Sequence, residues 1–115
     1  MKFKRNIAVD FDGVLNNYVG YDPHNLSTPR RGCKEFLKEL NKKYDVIIYS
    51  TRDASNILKW LEHYRLDKYV KTVTNKKPPA VAYIDDRAVR FNGDYRECLD
   101  NLIVKAYWQK DVEEE

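Results

Sequence analysis

The residues best suited to chemistry begin with two aspartates near the start of the chain. Asp10 and Asp12 flank Phe11 directly after the short apolar run 7–9, and Gly13 follows them. Two like charges about 4 Å apart repel each other by about 4 kcal/mol at an effective dielectric constant of about 20. Such a pair therefore needs a cation, a shared proton or solvent. An isolated D-x-D-G also fits an acidic turn at the surface, so the rest of the chain must decide between the two.

Polar groups also follow, or lead into, the later apolar runs of the sequence. These groups are Ser50, Thr51, Lys76, Lys77, Asp85, Asp86 and Arg87. Four carboxylates in one crevice would require a divalent cation, and hard oxygen ligands suit Mg²⁺. A lysine and a hydroxyl supply the charge and the hydrogen bond that a phosphoryl group needs, and a carboxylate can attack phosphorus. These residue types therefore indicate phosphoryl transfer, whereas the absence of GxxxxGK[ST] leaves P-loop nucleotide hydrolysis unsupported.

Strands alternating with helices must position these groups. Short apolar runs predict strands at 7–9, 46–49, 69–73, 81–84 and 103–107, and helical spacing of apolar residues predicts helices within 33–40, 54–61 and 95–102. Alternation of this kind gives parallel strands joined by right-handed crossovers. We therefore expect a Rossmann-like three-layer α/β/α sandwich with a sheet of about five strands. The carboxyl ends of its strands would bring the polar groups to one crevice.

Length and composition predict one soluble domain. The chain has 115 residues, of which 43% are hydrophobic and 34% charged, and we expect a single domain over residues 1–110 with an acidic tail at 111–115. The net charge of +3 permits an anionic partner without requiring one. No apolar run has the length of a membrane span, and no signal-peptide pattern opens the chain, so we expect a cytoplasmic protein with no membrane partner.

The loop between the first strand and the first helix is long enough to be functional. The apolar and aromatic residues in its first half predict a small hairpin or flap over the aspartates, and we call residues 14–22 the flap. Tyr18 and Tyr21 lie in this flap. Two roles stay open for them: anchoring the flap and contacting a substrate.

The order D-x-D-G, hydroxyl, lysine and D-D resembles the motif order of the haloacid dehalogenase superfamily, and the resemblance extends from Ile7 to about Tyr107. It implies a phosphohydrolase in which Asp10 is the nucleophile and Asp12 the general acid and base. Asp12 would protonate the leaving oxygen and then activate water against the phospho-enzyme. The gaps between the motifs are short, which resembles members without a cap domain.

The same resemblance implies the ligands of the phosphoryl group and of the metal. Mg²⁺ would be held by Asp10, Asp85, Asp86 and the backbone carbonyl of Asp12, with one aspartate of the D-D pair bound either directly or through water. The phosphate-binding candidates are Ser50, Thr51, Lys77 and Arg87. Ser50 is preferred to Thr51 because it directly follows the apolar run and begins an S-x-R pattern, and Lys77 is preferred to Lys76 because it precedes a proline. Arg87 could equally clamp a phosphate or pair with a carboxylate.

A site without a cap cannot enclose a small substrate, so water must be excluded by the substrate or by a partner. This favours a large phosphorylated substrate, such as a nucleic-acid end or a phosphoprotein, or a homo-oligomer whose neighbour closes the site. The segment 84–87, I-D-D-R, also resembles the phosphatase domains of polynucleotide kinase-phosphatases, which implies a nucleic acid 3′-phosphate. The alternatives are a phosphoryl-accepting signalling module and a non-catalytic module that binds phosphate or nucleic acid.

Overall fold

A parallel sheet of four strands forms the centre of the protein. The computed structural model describes residues 3–102, and its sheet has the strand order β3-β2-β1-β4. The strands are β1 (Arg5–Asp10), β2 (Tyr44–Tyr49), β3 (Thr72–Thr74) and β4 (Tyr83–Ile84). The helices are α1 (Cys33–Lys43), α2 (Ala54–His63), a short 3₁₀ helix (Asp67–Tyr69) and α3 (residues 95–102). The predicted α/β class with parallel strands is confirmed, whereas the predicted strand at 103–107 and tail at 111–115 lie outside the described residues.

Strand β1 lies between β2 and β4, and it carries the start of the candidate site. Its apolar run is in register with that of β2, so that Ile7 pairs with Val46 and Val9 with Ile48. On its other edge Val9 pairs with Ile84 of β4. The chain moves from β1 outward through β2 to β3 and then returns to the opposite side of β1. This reversal creates a crevice between β1 and β4, the position where open α/β sheets bind ligands.

The helices form where the sequence places apolar residues at helical spacing. The buried face of α1 includes Leu37, and that of α2 includes Ile57 and Leu61. The Asp53 carboxylate caps α2 by accepting a hydrogen bond of 2.8 Å from the backbone N–H of Ser55. No helix within residues 3–102 has the length and apolar character needed to cross a membrane.

Two predicted strands have different bounds in the structure. We predicted a strand at 69–73, but β3 begins at Thr72 because Asp67–Tyr69 forms a 3₁₀ turn closed by a hydrogen bond from the Val70 N–H to the Asp67 carbonyl. We predicted a strand at 81–84, and β4 includes only Tyr83–Ile84. Val81 still donates to the Asn6 carbonyl at 2.9 Å, so the pairing with β1 extends beyond the strand itself.

The first residues of the flap belong to the core and to a small hairpin. Leu15 is fully buried, and Asn16 forms an antiparallel bridge with Pro29. The Asn17 N–H donates to the Thr28 carbonyl at 2.8 Å, which ties the two ends of the loop together. The remainder of the flap, from Tyr18 onward, therefore projects from a fixed base.

Candidate active site

The eight residues that the sequence analysis selected line one crevice. The crevice lies at the carboxyl ends of the strands and encloses about 480 Å³. Its lining includes Asp10, Asp12, Ser50, Thr51, Lys77, Asp85, Asp86 and Arg87. Residues up to 77 positions apart in sequence meet here because parallel strands place their carboxyl ends at one edge of the sheet.

Phe11 fixes the two aspartates on either side of it. Its side chain is fully buried and meets the ring of Trp60 edge-on, with the ring centroids 4.8 Å apart. Because this middle residue is anchored in the core, the backbone of its two neighbours is held at the crevice. The Phe11 N–H also donates to Oδ1 of Asp10 at 2.8 Å, which fixes that carboxylate.

Asp10 belongs to a cluster of three carboxylates. One oxygen each from Asp10, Asp85 and Asp86 can be chosen so that all three lie within 4.8 Å of one another. Burial raises the pKa of Asp10 to about 6, the Phe11 hydrogen bond opposes this rise, and the charges of Asp85 and Asp86 add to it. A cluster of hard oxygen donors that repel one another has the chemistry of a Mg²⁺ site.

Gly13 allows this cluster to assemble. Its φ angle of +83° lies in the left-handed region, and a Cβ atom at this position would lie 2.9 Å from the carboxyl carbon of Asp86. Any larger residue would therefore be strained in its backbone and would press against Asp86. The positive φ of the turn thus favours glycine in the D-x-D-G motif, and the absence of a Cβ leaves room for the Asp86 carboxylate.

Asp12 has different surroundings, although it lies two residues from Asp10. The Nε–H of Arg52 donates to Oδ1 at 2.9 Å and to Oδ2 at 2.8 Å, and Nδ2 of Asn16 donates to Oδ1 at 3.0 Å. Arg52 is 5% exposed and Asn16 is 1% exposed. The carboxylate of Asp12 is therefore paired within the chain and lies outside the three-carboxylate cluster, and a metal contact through its backbone carbonyl stays a prediction.

The sequence analysis missed both partners of Asp12. Arg52 carried one signal, its place in the S-x-R pattern, but Asp12 lies 40 residues away in sequence. Asn16 carried none, since it stands beside Asn17 in a polar loop. Burial distinguishes Asn16 from Asn17. The Asn16 side-chain amide donates to the backbone carbonyl of Leu26 and accepts from the Gly13 N–H, and so links the start of the flap to the D-x-D-G motif.

The hydroxyl and lysine candidates differ in how they are held. Ser50 is 6% exposed, and its Oγ accepts a hydrogen bond of 3.1 Å from the backbone N–H of Arg52. The serine hydrogen is thereby left to donate, while Thr51 is exposed at the rim. Lys77 lines the crevice with its ammonium 4.7 Å from the ring centroid of Tyr83, whereas Lys76 is not among the lining residues.

Arg87 stands at the exposed rim of the crevice. Its backbone N–H donates to Oδ1 of Asp85 at 2.8 Å, which fixes the start of the loop after β4. The ion pairs among residues 3–102 include none to its guanidinium group. Within residues 3–102 the structure therefore shows no pairing of the Arg87 side chain with a carboxylate. Its contact with a phosphate stays a prediction.

Comparison with known proteins supports the fold and assigns no activity. No protein-family model and no curated protein matches the chain. A solved structure of a conserved protein from Bacteroides thetaiotaomicron is similar, with a TM-score of 0.58 and 24% sequence identity. The alignment covers 90% of this chain and 93% of that one. At this identity the similarity extends to the α/β fold alone.

Proposed function

We propose that the protein is a Mg²⁺-dependent phosphomonoesterase of the haloacid dehalogenase type, which works through an aspartyl-phosphate on Asp10. One observation carries the proposal. Asp10 lies within a three-carboxylate cluster with Asp85 and Asp86, in a crevice that it shares with the separately held carboxylate of Asp12. Two carboxylates with such different surroundings suit two different chemical roles.

In the proposed reaction, an oxygen of Asp10 attacks phosphorus and forms a P–O bond, and the bond from phosphorus to the leaving oxygen breaks. That oxygen takes a proton from Asp12, which must first bind this proton from water, and departs as an alcohol. Water then attacks phosphorus and gives a proton to Asp12, and the bond between phosphorus and Asp10 breaks. Inorganic phosphate is released, and both aspartates return to their starting states.

The remaining lining residues support a phosphoryl group in this reaction. Asp10, Asp85 and Asp86 would hold Mg²⁺, which when bound would neutralise the charge of the phosphoryl oxygens. The Ser50 hydroxyl would donate to one of these oxygens. Lys77 would turn from the Tyr83 ring toward another, since its flexible stem allows such a movement.

The exposed rim of the crevice favours a large substrate. Asp85, Asp86 and Arg87 are all exposed, so the described residues do not enclose a small molecule on this side. We therefore retain a large substrate, such as a nucleic acid 3′-phosphate end or a phosphoprotein, with a homo-oligomer as the other means of closing the site. The proposal includes the finer fold, a three-layer sandwich without a cap and with a sheet of about five strands, and a cytoplasmic location.

Hydrolysis of p-nitrophenyl phosphate with and without Mg²⁺ tests the proposal. The wild type should release phosphate only with Mg²⁺, and Asp10→Asn should lower kcat by about 10⁴-fold or more because the nucleophile is lost. Asp67→Asn, an exposed change outside the crevice lining, is the matched control. Full activity in Asp10→Asn would contradict the proposal. No turnover, with a lasting hydroxylamine-labile label from acetyl phosphate on Asp10, would favour the signalling module.

A further inference from the structure

We propose that Arg52 is a positioning residue that joins the flap to Asp12, so that closure of the flap strengthens the hold of Arg52 on the carboxylate. The inference rests on the proposed function for its catalytic consequence. Its structural part, the link between flap and carboxylate, can be measured without any turnover.

The guanidinium group of Arg52 contacts three partners in three directions. Its Nε–H donates to both oxygens of Asp12, and an Nη1 hydrogen donates to the backbone carbonyl of Asp22 at 2.7 Å. The Cζ atom lies 4.8 Å from the ring centroid of Tyr21, in a cation–π contact. Asp22 and Tyr21 form the end of the flap, so a single planar group joins this end to the crevice.

The flap has little else to hold it closed. Val19 is 93% exposed and Tyr21 is 64% exposed, so neither side chain is packed into the core. A cavity of about 290 Å³ lies against the flap and is lined by both of them and by Arg52. The contacts to Arg52 therefore replace the apolar packing that would normally fix a loop of this kind.

Because Arg52 is buried, its contacts to Asp12 and to the flap depend on one another. Only 3% of the Arg52 side chain is exposed while the flap is closed, and opening of the flap would admit water that screens the ion pair with Asp12. If the flap opens, Arg52 loses the Asp22 carbonyl and the Tyr21 ring together, and its hold on Asp12 is weakened. If Asp12 is replaced, the anchor of the guanidinium is weakened, and the flap should open more often.

Limited digestion with chymotrypsin tests the link without using activity, because cleavage after Tyr18 reports how often the flap opens. Asp12→Asn and Arg52→Lys should each speed this cleavage by about tenfold, while Asp10→Asn and the exposed control Arg96→Lys should stay within about twofold of the wild type. Cleavage after the buried residues Phe11 and Trp60 provides the reference for global unfolding.

A double variant tests whether the effect of Asp12 passes through Arg52. Asp12→Asn combined with Arg52→Lys should be cleaved no faster than Arg52→Lys alone, because both changes break the same link. If the rate increase in the double variant equals the product of the two single increases, the proposal is overturned, since the two side chains would then hold the flap independently. Equal cleavage of Asp12→Asn and Asp10→Asn would overturn it as well.

Kinetics test the catalytic consequence. Arg52→Lys should lower kcat for p-nitrophenyl phosphate by about 30-fold with KM changed less than about threefold, since lysine keeps the charge but lacks the planar fork. Tyr21→Leu should lower kcat by about fivefold, and Tyr21→Phe should restore it, because the ring holds the guanidinium. Wild-type kcat in both Arg52→Lys and Tyr21→Leu would refute the coupling. Inactivity of the wild type itself would refute the proposed function, and the digestion would still decide the link.

Discussion

Asp10 and Asp12 stand on either side of one buried residue, yet they lie in opposite electrostatic surroundings. Asp10 is grouped with Asp85 and Asp86, and its pKa is raised to about 6, first by burial. Asp12 is bound by the guanidinium of Arg52. One carboxylate is therefore surrounded by like charge and the other is paired within the chain.

This difference separates residues expected to act mainly in chemistry from residues that also stabilise the fold. The three-carboxylate cluster opposes folding, because the charges repel one another and are partly removed from water, and a bound cation would remove this cost. The ion pair of Asp12 is complete within the chain and also ties down the flap. Substitutions in the first region should thus affect mainly metal binding and chemistry, whereas substitutions in the second should affect chemistry and folding together.

The first prediction separates the chemical roles of the two aspartates. Asp12→Asn should lower kcat by about 10³-fold, because an amide can neither donate the proton to the leaving oxygen nor accept one from water. The loss should be smaller for p-nitrophenyl phosphate than for an alkyl phosphate, since the aryl leaving group needs less protonation. Equal losses for both substrates would argue against a general acid at this position.

The second prediction concerns the stability of the same variant. Asp12→Asn should lower the free energy of unfolding by about 3 kcal/mol, because it leaves the buried Arg52 without a counter-ion. Urea unfolding followed by circular dichroism measures this loss, with Asp67→Asn as the matched control. An unchanged midpoint would show that the ion pair contributes little to folding.

The third prediction targets the cluster through Gly13. Gly13→Ala should destabilise the protein by about 2 kcal/mol, because alanine is strained at φ +83° and its Cβ presses on Asp86. It should also raise the Mg²⁺ concentration for half-maximal activity, by about tenfold. Gly93→Ala is a useful comparison, since Gly93 has a φ of +100° but nothing within 4 Å of an added Cβ. If both variants lose metal affinity equally, contact with Asp86 is not the cause.

The smallest effect has the opposite sign. Asp10→Asn should raise the free energy of unfolding by about 1 kcal/mol at neutral pH without metal, a figure reduced from the full pKa shift because the carboxyl is only half-buried. The folded-state pKa of Asp10, about 6, exceeds its ordinary value of 3.8. The wild type should therefore lose this stability as the pH rises from about 4 to about 6, because the folded state binds the extra proton.

Urea midpoints at several pH values measure this difference. The gap between Asp10→Asn and the wild type should open over that interval and should narrow again when Mg²⁺ is added. A wild type more stable than Asp10→Asn at neutral pH without metal would contradict the proposed repulsion.

The sequence predicted the helices and strands better than the side-chain contacts within the site. Apolar runs and helical spacing located β1, β2, α1 and α2, because burial of these side chains determines the local structure. The start of β3 was misplaced because Tyr69 belongs to a 3₁₀ turn, a local choice that apolar content does not reveal. Parallel pairing then brought the predicted site residues together.

Arg52 shows why the remaining connections could not be read from sequence. Its contacts to Asp12 and to the flap span 40 and 30 residues, and they depend on where the loop closes in three dimensions. Asn16 likewise resembles its neighbour Asn17 in sequence and differs from it only in burial. Contacts between side chains on different loops can be identified only from the folded structure.

The most direct test of the division between Asp10 and Asp12 is the mass of the protein after acid quenching. Asp12→Asn mixed with p-nitrophenyl phosphate and Mg²⁺ should accumulate one phosphoryl group, located on Asp10 by peptide mapping, because the first step proceeds with a good leaving group and the water attack lacks its base. Asp10→Asn should accumulate none. Turnover by Asp12→Asn without any adduct, or an adduct on another residue, would contradict the account.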